Sequence, residues 1–250
     1  MNCCMQINNY RNYIFDFYGT LSEIWTNERK RYLWGGLAGF MKQYGAFYHA
    51  GELQKKYGEF CRREDERMKN EKDHYFVEID LEVIFEKLYQ YKGVKADTDL
   101  IRETEVVFRL LSMDKMKMFR HAAELLKELH DDGKKVYLLS NAQAVFTEYE
   151  IRQLCIKDFF DGICYSSDAG YRKPSERFFS CLFDSYGLKK EESVMIGNDA
   201  YTDIAGAAAY GIDSIYIHTI QSGKRPQKLP DNCQEYENLG EILRDYREHR

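Results

Sequence analysis

Residues 13–23 read YIFDFYGTLSE. An aromatic and aliphatic run, Tyr13 to Phe15, ends in the carboxylate of Asp16, and the chain then reaches Gly19 and Thr20. A short apolar run closed by a glycine is the pattern of a buried strand, so Asp16 stands where that strand stops. In an open parallel sheet, ligands bind beyond the carboxyl ends of the strands. The residues that follow each predicted strand are therefore the candidates for chemistry.

More such strands follow. KKVYLLS (134–140), DGICYS (161–166), SVMIG (193–197) and DSIYIH (213–218) alternate with the helical patterns AVFTEYEIRQL (144–154), SERFFSCLFDSYG (175–187) and TDIAGAAAYG (202–211). The second of these helices is entered through Pro174 and closed at Gly187, as helix punctuation favours. ENLGEILRDYREHR (237–250) predicts a last helix. Strand and helix in alternation predict an α/β fold, a parallel sheet with helices on both faces.

Residues 21–115 read differently. ERKRYLWGGLAGFMKQYG, AGELQKKYGEFCRREDERMKN, YFVEIDLEVIFEKLYQY and TDLIRETEVVFRLLSM carry apolar residues at helical intervals, with no β-alternation. They predict an all-helical insertion between the first strand and the rest of the sheet, with hinges near 20–26 and 113–119. The charge run CRREDERMKNEKDH (61–74) reads as a solvated helix face with i,i+4 pairs.

Composition bounds the function. The chain has 250 residues, enough for one large domain or for a core carrying a smaller insertion. Its formal charge is −5, from 36 basic and 41 acidic residues, without the clustered basic face of a nucleic-acid binder. No apolar run approaches the roughly 18 residues that span a bilayer. The start, MNCCMQINNYRNY, lacks the basic and apolar regions of a signal peptide. The 20 tyrosines read as packing residues. Seven cysteines, an odd number without any CxxC spacing, are less regular than a disulfide framework or a zinc site predicts. They suit reduced thiols in a cytosolic protein, with Cys3 and Cys4 in a frayed terminus.

Four strand ends supply candidate groups. Asp16 follows the first strand, and Ser140 and Asn141 close the second. Lys173 precedes Pro174 in GYRKPSERFF, and GNDAYTDI brings Asn198, Asp199 and Asp203 after SVMI. Each alone is an ordinary turn, cap or loop residue. Their order and placement together give a carboxylate, a hydroxyl, an ammonium and a second acidic group around one crevice.

In that combination the sequence resembles the haloacid dehalogenase-like (HAD) hydrolase superfamily. FDFYGTL, LLSN, RKP and GNDAYTDIAGA are similar to its four motifs, and the helical insertion is similar to a C1-type cap. The resemblance implies a Rossmann-like core, residues 1–20 and 116–250, and a helical cap, residues 21–115. It implies Asp16 as a nucleophile that forms an aspartyl-phosphate. Ser140, Asn141, Thr20 and Lys173 would bind the phosphoryl group, and Mg²⁺ would be held by Asp16, the Tyr18 carbonyl and the loop of Asn198, Asp199 and Asp203. The expected partner is a small phosphorylated metabolite, with neither nucleic acid nor membrane.

Two positions depart from the pattern. Phosphatases of the superfamily usually carry a second aspartate where Tyr18 stands, to protonate the leaving oxygen, and general-acid help is worth about 10²–10⁴ in rate. A phenol, with a reference pKa near ~10, is a poor substitute. Leaving groups that need little protonation, such as acyl or aryl phosphates, would suffer least. Dehalogenases of the superfamily carry tyrosine there, because halide leaves without a proton, so 2-haloacid dehalogenation is the rival reading. Against it stand GNDAYTD, with two acids, and the absence of a WR[QE]-like context around Arg29 and Arg31. Asn198 stands where the superfamily commonly has aspartate. The two departures together leave a third reading, a weakened member that binds phosphate-like ligands or a protein.

Overall fold

The computed structural model describes residues 6–72 and 74–250; the expectations for Cys3, Cys4 and the first residues lie outside them. Strand β1 (Asn12–Phe15) turns into β2 (Ser22–Thr26), which is followed by helices α1 (Arg31–Gln43), α2 (Ala50–Lys72), α3 (Leu81–Tyr91) and α4 (Thr98–Ser112) and by β3 (Met113–Met118). Then come α5 (Ala122–Asp131), β4 (Lys135–Ser140), α6 (Ala144–Gln153), β5 (Gly162–Tyr165), α7 (Ser166–Ala169), α8 (Glu176–Tyr186) and β6 (Ser193–Gly197). A wide helical turn, Ala200–Ala205, runs into α9 (Gly206–Tyr210), and β7 (Asp213–Ile217), β8 (Cys233–Tyr236) and α10 (Leu239–Glu248) complete the chain.

Six strands pair in parallel in the order β5-β4-β1-β6-β7-β8. The central strands are buried on both faces, which is why they read as unbroken apolar runs. Successive side chains alternate between two layers. Tyr13, Phe15, Val136, Leu138, Val194 and Ile196 pack with α5 and α10. Ile14, Tyr137, Leu139 and Met195 pack with Phe178, Phe179 and Leu182 of α8 and with Ala207 and Tyr210 of α9. The fold is thus a parallel α/β sheet with helices on both faces, as the alternation implies.

Helices α1–α4 share a separate apolar cluster built from Leu33, Trp34, Leu37, Met41, Leu53, Phe85, Leu88 and Phe108. Phe146 of α6 joins that cluster from the sheet side. The stretch 21–115 is not wholly helical, however. Strands β2 and β3 pair antiparallel at its two ends, with Glu23 opposite Lys117. Glu23 is buried and bonds Lys115 at 2.7 Å and Lys117 at 3.1 Å. The sequence hides this ribbon because MDKMKM gives a short strand with no clear polar face. Three further elements lie outside the sequence expectations: α5, the short α7 and the polar edge strand β8 (CQEY). Part of the 61–74 charge run forms the expected pairs, Lys69–Asp65 at 2.6 Å and Arg67–Glu71. Glu64 instead turns inward, 3% exposed, to bind Arg67 and Lys87.

Glu105 of α4 is fully buried, and neither carboxylate oxygen has a hydrogen-bond partner among the described residues. Burial, reinforced by the nearby Glu82 and Asp80 carboxylates, raises its pKa from 4.5 to about 9. A raised acid is neutral in the fold and ionised in the unfolded chain between those values, so its contribution to stability is lost as pH rises from 4.5 to about 9. Glu105→Gln is therefore more favourable to stability at pH 8 than at pH 4.5, by on the order of a few kcal/mol, as read by urea denaturation at the two pH values. An equal effect at both would contradict the assignment.

Candidate functional site

Three adjacent strands, β4, β1 and β6, end side by side, and Ser140, Asp16 and Asn198 stand at or just beyond their carboxyl ends. A cavity of about 210 Å³ opens there. Every residue nominated from the sequence lines it except Thr20, and Thr202 and Gln221 join them. Thr20 lies fully buried beside it and touches two of the lining side chains.

Lys173 reaches this point from the loop before α8 and is 1% exposed. Its Nζ lies 2.7 Å from Asp16 Oδ1, 2.7 Å from Asp203 Oδ1 and 2.7 Å from the Leu139 carbonyl. Two of these contacts are hydrogen bonds, to Asp16 and to the Leu139 carbonyl, and the third, with Asp203, is an ion pair. Burial alone would lower the Lys173 pKa, but Asp16 and Asp203 more than reverse this and raise it. Burial pushes Asp203 up to about 6 despite Lys173 beside it. Asn141 fixes the lysine's main chain: its Oδ1 accepts from the Lys173 N–H at 2.7 Å and its Nδ2 donates to the Lys173 carbonyl at 3.1 Å. The Ser140 hydroxyl is buried and has no hydrogen-bond partner among the described residues. A buried polar group left unmatched costs about 1–3 kcal/mol, so a ligand oxygen in the cavity would be stabilising there.

The GNDAYTD loop divides its acids. Asp203 Oδ2 accepts the Asp199 N–H at 3.0 Å, which leaves Asp203 committed to Lys173 and to the loop itself. The Asp199 carboxylate caps the following helical turn, accepting from Tyr201 N at 2.9 Å and Thr202 N at 2.7 Å. Asn198 faces the first strand's turn. Thr20 Oγ1 lies 3.3 Å from Asp16 Oδ2 and 3.2 Å from Asn198 Oδ1. One hydroxyl proton cannot serve both oxygens, so two oxygen donors converge with one proton between them, an arrangement that suits a hard cation. Among the described residues no group of three or more His, Cys, Asp or Glu is placed to hold a metal. A cation here would rest on few side chains and keep its waters, the habit of Mg²⁺.

Tyr18 lines the cavity, but its hydroxyl points away, donating to Glu150 and lying 3.0 Å from Thr147 Oγ1 on α6. Burial raises this phenol's pKa far above its ordinary value; Arg109 opposes the shift and Glu150 adds to it. It stays protonated and committed.

Further groups complete the rim. Thr219 Oγ1 donates to the Gly19 carbonyl at 2.7 Å, and Ser222 Oγ accepts from Asn198 Nδ2 at 3.3 Å. Gln221 pairs with both main-chain groups of Ile24 on β2. These residues follow β7, so the strand-end rule extended to DSIYIH finds them. Nothing in the local sequence singles out Arg109 or Glu150. A larger cavity of about 740 Å³ lies elsewhere, bounded by α3, α4, α6 and β5. Its cations Arg102, Arg152 and Lys157 already pair with Glu82 and Glu148.

Comparison with known proteins places these features in context. The family profile described as haloacid dehalogenase-like hydrolase matches residues 56–217. A ribulose-1,5-bisphosphate 5-phosphatase of Halopiger xanaduensis is 27% identical over 41% of this chain and 43% of its own length. A glyceraldehyde 3-phosphate phosphatase of Methanothermobacter thermautotrophicus is 30% identical over 42% and 46%. The match thus spans less than half of either relative. Among solved structures, a 2-haloacid dehalogenase from Pseudomonas syringae superposes with a TM-score of 0.61 at 19% identity, covering 96% of this chain and all of that one. A HAD phosphatase from Thermococcus onnurineus gives 0.57 at 16% identity, covering 94% and 96%. At these identities the likeness is one of fold.

The turn after β1 depends on Gly19. Its φ is +87°, and a Cβ there would lie 2.6 Å from both terminal atoms of the Asn198 amide. Gly19→Ala is expected to lower stability by about 1–3 kcal/mol in chemical denaturation and to displace Asn198. A variant as stable as the parent would contradict the close packing described.

Proposed function

Because the chain belongs to the haloacid dehalogenase-like hydrolases, we propose that it is a Mg²⁺-dependent phosphatase of a small phosphorylated metabolite, with Asp16 as nucleophile. Phosphatase names among its relatives support hydrolysis of phosphate esters. The observation that carries the reading is the buried Lys173, 2.7 Å from Asp16, beside the unmatched Ser140 hydroxyl. In this division of labour residues 1–20 and 116–250 are the core and residues 21–115 the cap. The described cysteines are free thiols, which suits a cytosolic setting, and among the described residues no helix is long and apolar enough to cross a membrane.

The Asp16 carboxylate attacks phosphorus, and the bond to the leaving group breaks with its electron pair departing on that group. Water then attacks the aspartyl-phosphate, releasing phosphate and regenerating the carboxylate. Lys173 offsets the negative charge of nucleophile and phosphoryl group, and Ser140 Oγ binds a phosphoryl oxygen. Asn141 acts by holding Lys173. Thr20 orients Asp16 and Asn198. Asp16, the Tyr18 carbonyl and Asn198 would hold Mg²⁺, with Asp199 and Asp203 supporting that loop. The ion would supply charge neutralisation between carboxylate and phosphate.

Because the Tyr18 hydroxyl is bound to Glu150, the leaving group departs without a proton from position 18. Acyl and aryl phosphates are therefore the preferred substrates. The same feature favours a second reading, departure of halide. Phosphate release from acetyl phosphate and p-nitrophenyl phosphate should require Mg²⁺ and fall at least about 1,000-fold in Asp16→Asn. Simple alkyl phosphates should react about 10²–10⁴ times more slowly than these esters. Equal rates for alkyl and aryl esters would overturn the account of Tyr18. Metal-independent chloride release from 2-chloropropionate, with no phosphate release, would favour the second reading.

A further inference from the structure

The hydroxyl of Tyr18 sits in a cluster that joins three parts of the chain. Arg109 of α4 donates from Nη2 to the Tyr18 hydroxyl at 3.0 Å and from Nε to Glu150 Oε1 at 2.6 Å. Its second contact with Glu150, from Nη2 to Oε2, is 3.4 Å. The guanidinium also lies 5.3 Å from the ring centroid of Tyr18 and 5.2 Å from that of Phe146. The Arg109 and Glu150 side chains are 15% and 3% exposed. A buried pair of this kind is costly to break, because the remaining charge has no water to turn to.

Other contacts between the helical insertion and the sheet side reach other places. The main chain of Phe76 and Glu78 bonds Arg172 and Gly170, and Gln143 bonds Ile79 and Leu81. Arg109 reaches the loop that carries Asp16 itself.

We propose that Arg109 is a positioning residue: through Tyr18 and Glu150 it lets the insertion's last helix set the loop of Asp16. The tyrosine at position 18 is then an anchor between helix and nucleophile loop. This explains why a residue that lines the cavity has its hydroxyl committed to Glu150 and Arg109. The proposal rests on the reading of Asp16 as nucleophile for its kinetic consequence, but not for its structural one.

The test compares Arg109→Ala, Arg109→Lys and Tyr18→Phe with the parent, and Arg102→Ala, which breaks an exposed pair within the helical insertion, as control. A loose nucleophile loop should lower kcat for p-nitrophenyl phosphate about 10–100-fold in Arg109→Ala while KM changes much less. Lysine should restore only part of this, since it lacks the planar two-pronged donor. The double variant Arg109→Ala/Tyr18→Phe should be little worse than Arg109→Ala alone. Independently of turnover, amide hydrogen exchange of residues 17–22 should quicken in Arg109→Ala and Tyr18→Phe while that of 193–197 stays unchanged. If Arg109→Ala does not fold, Tyr18→Phe and Arg109→Lys carry the same comparison. Should no phosphate ester be hydrolysed by the parent, the phosphatase reading fails, and exchange alone still decides the positioning role. Unchanged exchange at 17–22, or losses confined to KM that add in the double variant, would overturn it.

Discussion

A single buried ammonium organises the site. Lys173 is surrounded by Asp16 from the end of β1, Asp203 from the loop after β6 and the Leu139 carbonyl of β4, each at 2.7 Å. Burying an ion costs several kcal/mol unless its partners are well placed, and removing one partner typically costs about 3–5 kcal/mol. The strand ends must therefore keep their register for the charges to meet. The parallel sheet does this by pairing β1 directly with both β4 and β6. The two carboxylates outnumber the ammonium, so the triad retains a net negative charge beside an unmatched serine hydroxyl.

The loop that carries Lys173 is also where the helical insertion touches the sheet side. Arg172 N donates to the Phe76 carbonyl at 3.1 Å and Glu78 N to the Gly170 carbonyl at 3.3 Å, a short main-chain pairing between the two. Arg109 of the same insertion grips Tyr18. The insertion therefore holds both chains that frame the cavity, the loop of Asp16 and the loop of Lys173. Movement of the insertion would be felt at both loops.

The buried strands were legible because a strand covered on both faces is a run of apolar residues, and the site was legible because parallel topology fixes where ligands bind. That rule points to Asp16, Ser140 and Asn198; Lys173 follows no strand but precedes Pro174, and it is the resemblance of RKP to a family motif that adds it to the set. Directions of side chains were not legible. Asp after a strand can ligate or cap, and Asp199 caps. Tyr18 gave no sign of its partners, because Arg109 and Glu150 lie 91 and 132 positions away in sequence. The β2–β3 ribbon is hidden by its length and by the mixture of methionine and lysine in β3, and Glu23 meets two lysines there. Glycine at 19 was visible as a turn residue, but its close contact with Asn198 depends on tertiary structure.

The central claim is that the carboxylate of Asp16 becomes covalently phosphorylated. The most direct measurement is to quench the protein with borohydride during turnover of acetyl phosphate in Mg²⁺ and map the reduced residue by peptide mass spectrometry. Reduction to the alcohol at position 16, absent without substrate, is the result this account predicts. Turnover with position 16 unmodified, or with the label on another residue, would contradict it.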